Sequence, residues 1–467
     1  MRGLLTGLVV VLSGCGGGGV ADAGAGGGTN TGGGTVFGGG NGSTGGGNGS
    51  TGGGSGSTGG LGTFLRVGFD SQRIAAGPDG TMHLAFEEGA AERVFYGSCG
   101  ANCGTDSAWN VVQLRSAAQL GTTVAGPMGL EVDASGRVHL LIAGVAPLGQ
   151  TANTMVYATC ASSCGNVASW SFLDLSSLAP NHSPIGTTST FMVSSAGQVS
   201  FLNQGQFNSV QASFLSCASG CTTLSNWSAG AVLNGNPLHA VLDGAGVRHV
   251  MLAQGRSTAN EDLLFYARCA SNCTAAASWQ VSPLGFITNT PLWTGAFAVS
   301  AAGRVFMAFN QGVLSSNPPD ARKVLINSCL GAGCLDLNTW SSFSLGALDE
   351  GASGLWLEPA GDALALATTA DFDVHLRTCE GTCETAAAWS VPTGIDTAGS
   401  IAQAIAPDTG SSCPGSSQSA SWWPHSPRLA IGVRGLVAVH NPYSIVKCPQ
   451  LSSPNRLPPI GRVVSSF

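Results

Sequence analysis

From residue 61 onward, short apolar runs alternate with polar turns at a regular spacing. Apolar runs such as TMHLAF (81–86), RVHLLI (137–142) and RVFMAF (304–309) each follow a turn that ends in glycine. The turns are GPDG (77–80), DASG (133–136), SSAG (194–197), DGAG (243–246), SAAG (300–303) and EPAG (358–361). Asp, Ser or Pro ahead of a glycine is typical of type I turns. Short strands at regular intervals predict an all-β repeat.

Cysteine and tryptophan mark the same repeat. Six local cysteine pairs occur, and a tryptophan follows the second cysteine of every pair by six residues: Trp109, Trp170, Trp227, Trp279, Trp340 and Trp389. The repeat unit therefore has four strands: A before the glycine turn, B after it, C running into the cysteines and D starting at the tryptophan. Four strands per unit predict a β-propeller blade. We expect these tryptophans to pack between blades.

The spacing of the units predicts how many blades there are. The first cysteines of the pairs advance from 99 to 379, which is 280 residues over five steps and a mean of 56. Residues 61–467 are long enough for seven such blades, with six as the alternative. The last unit offers RLAIGV (428–433), LVAVHN (436–441) and SIVKC (444–448) as strands A to C. Its D strand is predicted from FLRVGF (64–69), with IGRVVSSF (460–467) as the rival.

The first 60 residues have a different composition from the rest and carry an export signal. Met1-Arg2 precedes an apolar run that ends in Leu12-Ser13-Gly14-Cys15. The run is too short to span a bilayer and resembles a bacterial lipoprotein signal, in which the cysteine is lipidated. Residues 16–60 contain 25 glycines, mostly with Ser, Thr and Asn, a composition that stays flexible. The predicted organisation is a signal peptide at 1–14, a lipidated Cys15 with a tether at 15–60, and a propeller at 61–467.

Export determines how the remaining cysteines are interpreted. Gly16 follows the lipidated position rather than Asp, which by family analogy favours the outer membrane or cell surface. Cysteines in exported proteins predict disulfides. The predicted pairs are Cys99–Cys103, Cys160–Cys164, Cys217–Cys221, Cys269–Cys273, Cys329–Cys334, Cys379–Cys383 and Cys413–Cys448. No His or carboxylate recurs beside the pairs, so we expect neither a metal nor a cofactor.

The charge balance excludes some partners. The chain has 18 basic and 25 acidic residues, a formal net charge of −7, whereas nucleic-acid binding needs a basic face. Membrane attachment is expected through the lipid on Cys15, and the protein is expected to be a monomer.

Function is expected on the loops that vary between blades. The A–B turns and cysteine loops are uniform, whereas the B–C and D–A loops on the opposite face differ in length. The longest insertion, roughly 396–427, holds Trp422, Trp423 and His425, and Trp293 lies in another such loop. These residues are the predicted ligand contacts, since aromatic side chains stack on sugars and anchor proteins. The first hypothesis is a non-enzymatic surface lipoprotein that binds a protein or glycan.

The turn-plus-tryptophan pattern resembles the sialidase and Asp-box repeat propellers. Arg73-Ile74-Ala75-Ala76 followed by PDGTMHLAFEEG (78–89) is similar to the Arg-Ile-Pro segment of sialidases, whose arginine binds the substrate carboxylate. The resemblance implies a glycoside hydrolase or lyase as the alternative function, with Arg73, Glu87, Glu88 and Tyr443 as candidate catalytic residues. A carboxylate pair could combine Glu87 or Glu88 with Asp262 or Asp373.

Alignment of the units separates repeated positions from unusual ones. His83, His139 and His249 share one strand B position, and Tyr96, Tyr157 and Tyr266 share one strand C position, so both sets are interpreted as structural. The position of Arg73 is occupied in the next five units by Gly129, Thr190, His239, Ala296 and Gly354. Arginine returns there at Arg428.

Overall fold

Antiparallel strands make up most of the chain that the computed structural model describes. The described residues are 62–65, 69–88, 93–104, 106–145, 154–178, 190–203, 211–255, 262–288, 296–311, 322–348, 354–360, 363–370, 373–396, 419–432, 435–447, 455–456 and 461–465. Six four-stranded sheets are found there, each built from four consecutive strands. They are the blades that the repeat predicts.

The blades follow one another along the chain. Blades 1 and 2 are β2 (Phe69–Ala76), β3 (Met82–Glu88), β4 (Arg93–Cys99), β5 (Asn110–Ser116), and β6 (Val124–Val132), β7 (Val138–Val145), β8 (Thr154–Cys160), β9 (Trp170–Asp174). Blades 3 and 4 are β10 (Phe191–Val193), β11 (Val199–Asn203), β12 (Gln211–Cys217), β13 (Trp227–Asn234), and β14 (Asn236–Leu242), β15 (Arg248–Gly255), β16 (Asp262–Cys269), β17 (Gln280–Thr288). Blades 5 and 6 are β18 (Ala296–Val299), β19 (Arg304–Gln311), β20 (Arg322–Leu330), β21 (Ser341–Leu348), and β22 (Gly354–Ala360), β23 (Ala363–Ala370), β24 (Asp373–Cys379), β25 (Thr393–Asp396).

Helices in the described residues are short. One α-helix, α1 (Ala117–Leu120), follows β5 and begins with a capping box between Ser116 and Gln119. Single 3₁₀ turns precede the repeat tryptophans at Asp106–Ala108, Val167–Ser169, Leu224–Asn226, Ala276–Ser278, Leu337–Thr339 and Ala386–Ala388. Two more occur at Ser176–Leu178 and Gly331–Leu335.

A further sheet, called here the closing sheet, joins the two ends of the described chain. It has five strands: β1 (Gly62–Leu65), β26 (Ser419–Gly432), β27 (Gly435–Lys447), β28 (Asn455–Arg456) and β29 (Gly461–Ser465). Their order is β1-β29-β27-β26, with β28 also paired to β27. The prediction of seven four-stranded blades is therefore wrong, and the alternative of six is the number that have this form.

The closing sheet differs from the blades because β26 and β27 are longer than any blade strand and because its strands come from both ends of the described chain. The predicted strands B and C (436–441 and 444–448) fall largely in one continuous strand, β27, which pairs with β26 along most of its length. Counted from β26, the third strand of the sheet is β29, which pairs with β27, and β1 pairs with β29 at the edge. Of the two segments considered for closure, 460–467 contains β29, whereas 64–69 shares only Phe64 and Leu65 with β1.

The first strands of the sheets converge. Contacts run from β2 to β6, β10, β14, β18, β22 and β26 in turn, and from β26 back to β2. These first strands line the axis of a ring of sheets, and the closing sheet lies between blades 6 and 1. Closing a ring in this way protects the edges that an open sheet would expose.

Apolar side chains fill the seams between neighbouring sheets. Tyr96 of blade 1 meets Trp170 of blade 2 edge to face, with ring centroids 4.9 Å apart. The same contact joins Tyr157 to Trp227 at 5.4 Å and Tyr266 to Trp340 at 5.8 Å. Edge-to-face pairs contribute about 0.5–1.5 kcal/mol beyond the area they bury. The repeat tryptophan thus packs between blades, as predicted.

Disulfides and tryptophans together fix the loop between strands C and D. All six predicted local disulfides are present, one in each blade, with Cα atoms 5.2–5.8 Å apart. In every blade the tryptophan Nε1–H donates to the carbonyl oxygen of the second cysteine. In four loops the residue before that cysteine has positive φ, and these are Asn102, Ser163, Gly220 and Asn272. The predicted pair Cys413–Cys448 and Cys15 lie outside the described residues.

The repeated histidines belong to buried networks that tie a turn to strand C. His139 Nε2 lies 3.2 Å from Asp133 Oδ2, and its Nδ1 lies 2.7 Å from the Tyr157 hydroxyl. Blade 4 repeats the arrangement with Asp243, His249 and Tyr266. Burial keeps the pKa values of His139 and His249 below their ordinary value, so the rings are neutral near pH 7. Repetition in two blades favours a structural role.

Candidate functional site

Strand pairing defines which residues share one level on the ring axis. In blade 1, Tyr96 pairs with Ala85, which pairs with Arg73. Tyr96 stands three residues before the first cysteine of its blade. In each other blade, the residue at that position leads through its partner on strand B to an equivalent residue on strand A. These residues are Gly129, Thr190, His239, Ala296 and Trp356. We call this set, with Arg73 and Arg428, the arginine level.

One member of this level corrects the sequence alignment. The alignment on turn glycines assigns Gly354 to blade 6, whereas the pairing assigns Trp356. The reason is the length of the A–B connection. Met82 and Leu364 each pair with the first cysteine of their blade, and their partners on strand A are Ala76 and Pro359. Five residues separate Ala76 from Met82, whereas four separate Pro359 from Leu364. The turn glycine also stands three residues before Leu364 but two before Met82, so the positions of strand A shift by two residues relative to the glycine.

Two buried arginines from neighbouring sheets lie at this level. Arg73 is 5% exposed and donates from Nε to the Met128 carbonyl at 3.0 Å and from a terminal nitrogen to the Gln72 carbonyl at 2.7 Å. Arg428 is also 5% exposed. Burial lowers the pKa of Arg73 to about 10. Burial and the nearby Arg73 charge hold the pKa of Arg428 well below its usual range. The Arg73 charge disfavours the protonated form of Arg428, and an anion beside the two guanidinium groups would offset this repulsion.

Trp356 brings an aromatic surface to the arginines. The Arg428 guanidinium carbon lies 4.3 Å from the centre of the Trp356 ring, a cation–π contact. His239 of blade 4 meets the same ring edge to face, with centroids 6.2 Å apart. His239 is 7% exposed. Blades 4 and 6 are not neighbours in the ring, so these side chains reach toward each other across the axis.

Two glutamates form a second level, two residues closer to the A–B turns. Glu131 pairs with His139 and Glu358 with Ala365, which are the same position in their blades. Desolvation raises the pKa of each carboxyl to about 8, and the charge of Glu131 also raises the pKa of Glu358. Trp356 Nε1–H donates to Glu358 Oε2 at 3.1 Å, and this hydrogen bond lowers the pKa of Glu358. We call Glu131 and Glu358 the glutamate level.

The glutamate level was missed in the sequence because each residue adjoins a turn motif. Glu358 is the first residue of EPAG, and Glu131 stands two before DASG. The equivalent positions hold Ala75, Met192, Val241 and Ala298 in the other four blades. A charge where the repeat otherwise requires an apolar side chain is the signal that could have identified both glutamates.

The two levels place complementary chemistry on one axis. The arginine level suits a carboxylate or sulfate, because guanidinium groups bind planar oxyanions well. The glutamate level supplies carboxyls that keep their protons near neutral pH, which is the condition for a general acid. No group of three or more metal-ligating side chains occurs among the residues that the structure describes.

The residues proposed from sequence are placed differently. The arginine level and the glutamate level together are called here the axial cluster. Arg73 belongs to this cluster, whereas Glu87 is buried on β3, one strand further out. Glu88 ends the same strand, and Tyr443 lies in β27 opposite Trp423. Asp262 and Asp373 begin the third strands of blades 4 and 6. The described backbone therefore brings neither aspartate onto a strand next to that of Glu87.

The predicted aromatic contacts are only partly described. Trp422, Trp423 and His425 lie in β26 rather than in a long loop, since this strand extends back to Ser419. Strand pairing puts His425 opposite Asn441. Trp293 lies outside the described residues. In the described part of the chain, no helix has the length and apolarity to cross a membrane.

Several solved structures are similar in backbone. No known family model and no curated protein sequence matches the chain. The polysaccharide lyase Uly1 is 10% identical with a TM-score of 0.49, covering 86% of this chain and 91% of that one. A PL25 ulvan lyase bound to -[GlcA(1-4)Rha3S]- is 10% identical with a TM-score of 0.45, covering 86% and 97%. A sialidase of Trypanosoma rangeli is 12% identical with a TM-score of 0.41, covering 85% and 55%.

Proposed function

We propose that the protein is a glycoside hydrolase or lyase that acts on an acidic polysaccharide at the ring axis. One observation carries the proposal: two buried arginines and two glutamates, whose pKa values desolvation raises, occupy adjacent levels of the innermost strands. Burying charged groups away from water is costly, and burial lowers the pKa of both arginines, so a cluster of this kind favours a site that receives a charged ligand. A ligand anion would offset the repulsion between Arg73 and Arg428.

The same groups suit both reactions. In hydrolysis, the glycosidic C–O bond breaks, the leaving oxygen takes a proton from an acid, and water adds to the anomeric carbon. In elimination, a base removes the proton next to a uronate carboxylate, the C–O bond to the glycosidic oxygen on the neighbouring carbon breaks as a C=C bond forms, and the leaving oxygen is again protonated. Arginines at the carboxylate stabilise the negative charge that develops there. A protonated glutamate can supply the leaving oxygen in either case.

The function can be tested with a substrate panel. We expect the purified full-length protein to degrade uronate-containing, sulfated or sialylated polysaccharides and to leave neutral glucans intact. Reducing-sugar release detects both reactions, and ultraviolet absorbance of an unsaturated uronate distinguishes elimination from hydrolysis. Retention on an acidic polysaccharide column without any product would instead support the non-enzymatic binding hypothesis. Neither retention nor product from any acidic substrate would contradict both.

We also propose that the chain is exported and anchored through a lipid on Cys15. The supporting observations are the Leu12-Ser13-Gly14-Cys15 signal and the six disulfides, which form in oxidising compartments. In a bacterial host fed an alkyne-labelled fatty acid, the wild-type protein is expected to carry the label in the membrane fraction. Cys15→Ser should lose the label and leave that fraction. An unlabelled wild-type protein would contradict the anchor.

A further inference from the structure

Trp356 contacts both levels of the axial cluster. Its ring lies under the Arg428 guanidinium at 4.3 Å, and its Nε1–H donates to Glu358 Oε2 at 3.1 Å. The equivalent positions in the other blades hold smaller side chains or His239, so the repeat itself does not require an indole here. In blade 6 the connection between equivalent positions of the first two strands is one residue shorter than in blade 1, and strand pairing places Trp356 at the arginine level.

We propose that Trp356 is a positioning residue that orients Arg428 toward the anionic group of the ligand and Glu358 toward the atom it protonates. The proposal rests on the proposed function, since it specifies how that site would be arranged. A single rigid side chain would thereby set the distance between anion recognition and proton transfer, to which catalysis is sensitive.

The arginine half of the proposal follows from burial. A buried guanidinium is costly unless favourable contacts surround it, and the face of an indole is the strongest aromatic partner for a cation. Stacking also fixes the plane of the guanidinium, and with it the direction of its N–H groups. Trp356 therefore prepares Arg428 for an oxyanion before any ligand arrives.

The glutamate half follows from the chemistry of the indole. An indole nitrogen donates and never accepts a hydrogen bond, so Glu358 Oε2 must be the acceptor. When Glu358 is protonated, a proton on Oε1 leaves the carbonyl oxygen, which is the better acceptor, facing the indole N–H. Trp356 thus determines which oxygen of the carboxyl can donate.

The other charged or titratable groups of the axial cluster come from four different strands. Glu131 lies on β6, Arg73 on β2, Arg428 on β26 and His239 on β14. Of these, Glu131 raises the pKa of Glu358, whereas the indole bond lowers it. Removing that bond alone should therefore raise the pKa of Glu358.

Two substitutions separate the two contacts. Trp356→Phe keeps an aromatic face for Arg428 but removes the N–H donor. We expect the alkaline limb of the kcat–pH profile to move up by about 0.5–1 pH unit, with KM changed less than about twofold. Trp356→Leu removes the face as well, so KM should rise about tenfold. Trp340→Phe is the matched control, since its N–H bonds a backbone carbonyl in a cysteine loop, and it should alter neither.

A measurement without substrate separates this proposal from the proposed function. The wild type, Trp356→Phe, Trp340→Phe and Glu358→Gln proteins are unfolded in urea between pH 6 and 10. Trp356→Phe should extend the fall in stability to a higher pH. This shift should vanish in the double variant Trp356→Phe, Glu358→Gln, which is measured beside the single variants. Trp340→Phe should lower stability equally at every pH. A pH dependence that Trp356→Phe leaves unchanged would overturn the proposal even if the protein degrades polysaccharide. A shift in a protein with no activity would support the Trp356 linkage and count only against the proposed function.

Discussion

Replacing Arg73 with methionine is expected to lower kcat/KM on an acidic polysaccharide by about 100- to 1,000-fold. Loss of one charged contact to a developing or bound anion in a dry site typically has an effect of this size. Methionine keeps an unbranched apolar stem in the same space, so the loss can be assigned to the guanidinium. The measurement is steady-state kinetics on the substrate identified by the panel.

A matched control distinguishes lost chemistry from lost packing. Arg115 stacks its guanidinium 3.4 Å from the centre of the Phe172 ring at the seam of blades 1 and 2. It lies on β5, the outermost strand of blade 1, away from the axis. Arg115→Met should keep kcat/KM within about twofold and lower stability by about 1 kcal/mol. If Arg73→Met reduces activity no more than Arg115→Met does, the arginine level is not the anion site.

Neutral glycans supply the second comparison for Arg73. Should the wild type show weak activity on a neutral polysaccharide, Arg73→Met is expected to leave that activity nearly unchanged, because no anion is present for the guanidinium to bind. The discrimination between acidic and neutral substrates would then fall by about the same factor as kcat/KM on the acidic one. Equal losses on both would indicate a structural role for Arg73.

The repeat could be predicted from the sequence because its signals are local. The glycine turns, the cysteine spacing and the tryptophan six residues later all act within one blade, so strands A to D and the six local disulfides are confirmed. The tryptophans pack between blades because strand D opens at the seam with the preceding blade. The closing sheet has no such signals, which is why its strand order and the number of four-stranded blades were predicted wrongly.

The axial cluster could not be assembled in the same way. Its members come from strands far apart in the chain and meet only because the ring closes. The assignment of Trp356 also depends on how many residues separate the turn glycine from each paired strand in blade 6, and an alignment on glycines does not reveal that number. Arg73 could be found because it stands out from its repeat position, and Glu131 and Glu358 stand out for the same reason. Testing every strand A for charged residues at apolar positions would have identified all three.

The glutamate level should make the protein less stable as the pH rises, and replacing both carboxyls with amides should reverse this. An unfolded glutamate ionises near pH 4.5, whereas Glu131 and Glu358 keep their protons to about pH 8 in the folded protein. Between these values the unfolded state binds fewer protons than the folded state, so stability falls with rising pH. Below about pH 4.5 both states are protonated, and the two carboxyls cost little.

The Glu131→Gln, Glu358→Gln double variant is therefore expected to match the wild type near pH 4.5 and to be more stable at pH 8–9. Because both side chains are partly exposed to solvent, each carboxyl should contribute about 1–2 kcal/mol to the difference. Urea unfolding across this range measures the free energies directly. His83, whose pKa burial lowers to about 4, has the opposite pH dependence below pH 6.5, but it is common to both proteins and cancels from their difference.

A surface glutamate provides the control for this experiment. Glu384 pairs with Arg304 between blades 5 and 6, and both side chains are partly exposed. Glu384→Gln should lower stability by less than about 1 kcal/mol, with little change between pH 6 and 9. If the double variant likewise differs from the wild type by a constant amount, the two axial carboxyls do not retain their protons in the folded protein.

The double variant should also lose activity, because neither amide can act as the general acid. A gain in stability at pH 8 together with a loss of about 1,000-fold in kcat would mean that the wild type maintains two unfavourable carboxyls where they are needed for chemistry. A purely structural pair would give the opposite result, since removing a stabilising contact lowers stability at every pH. The two measurements together therefore decide whether the glutamate level belongs to the reaction or only to the architecture of the ring.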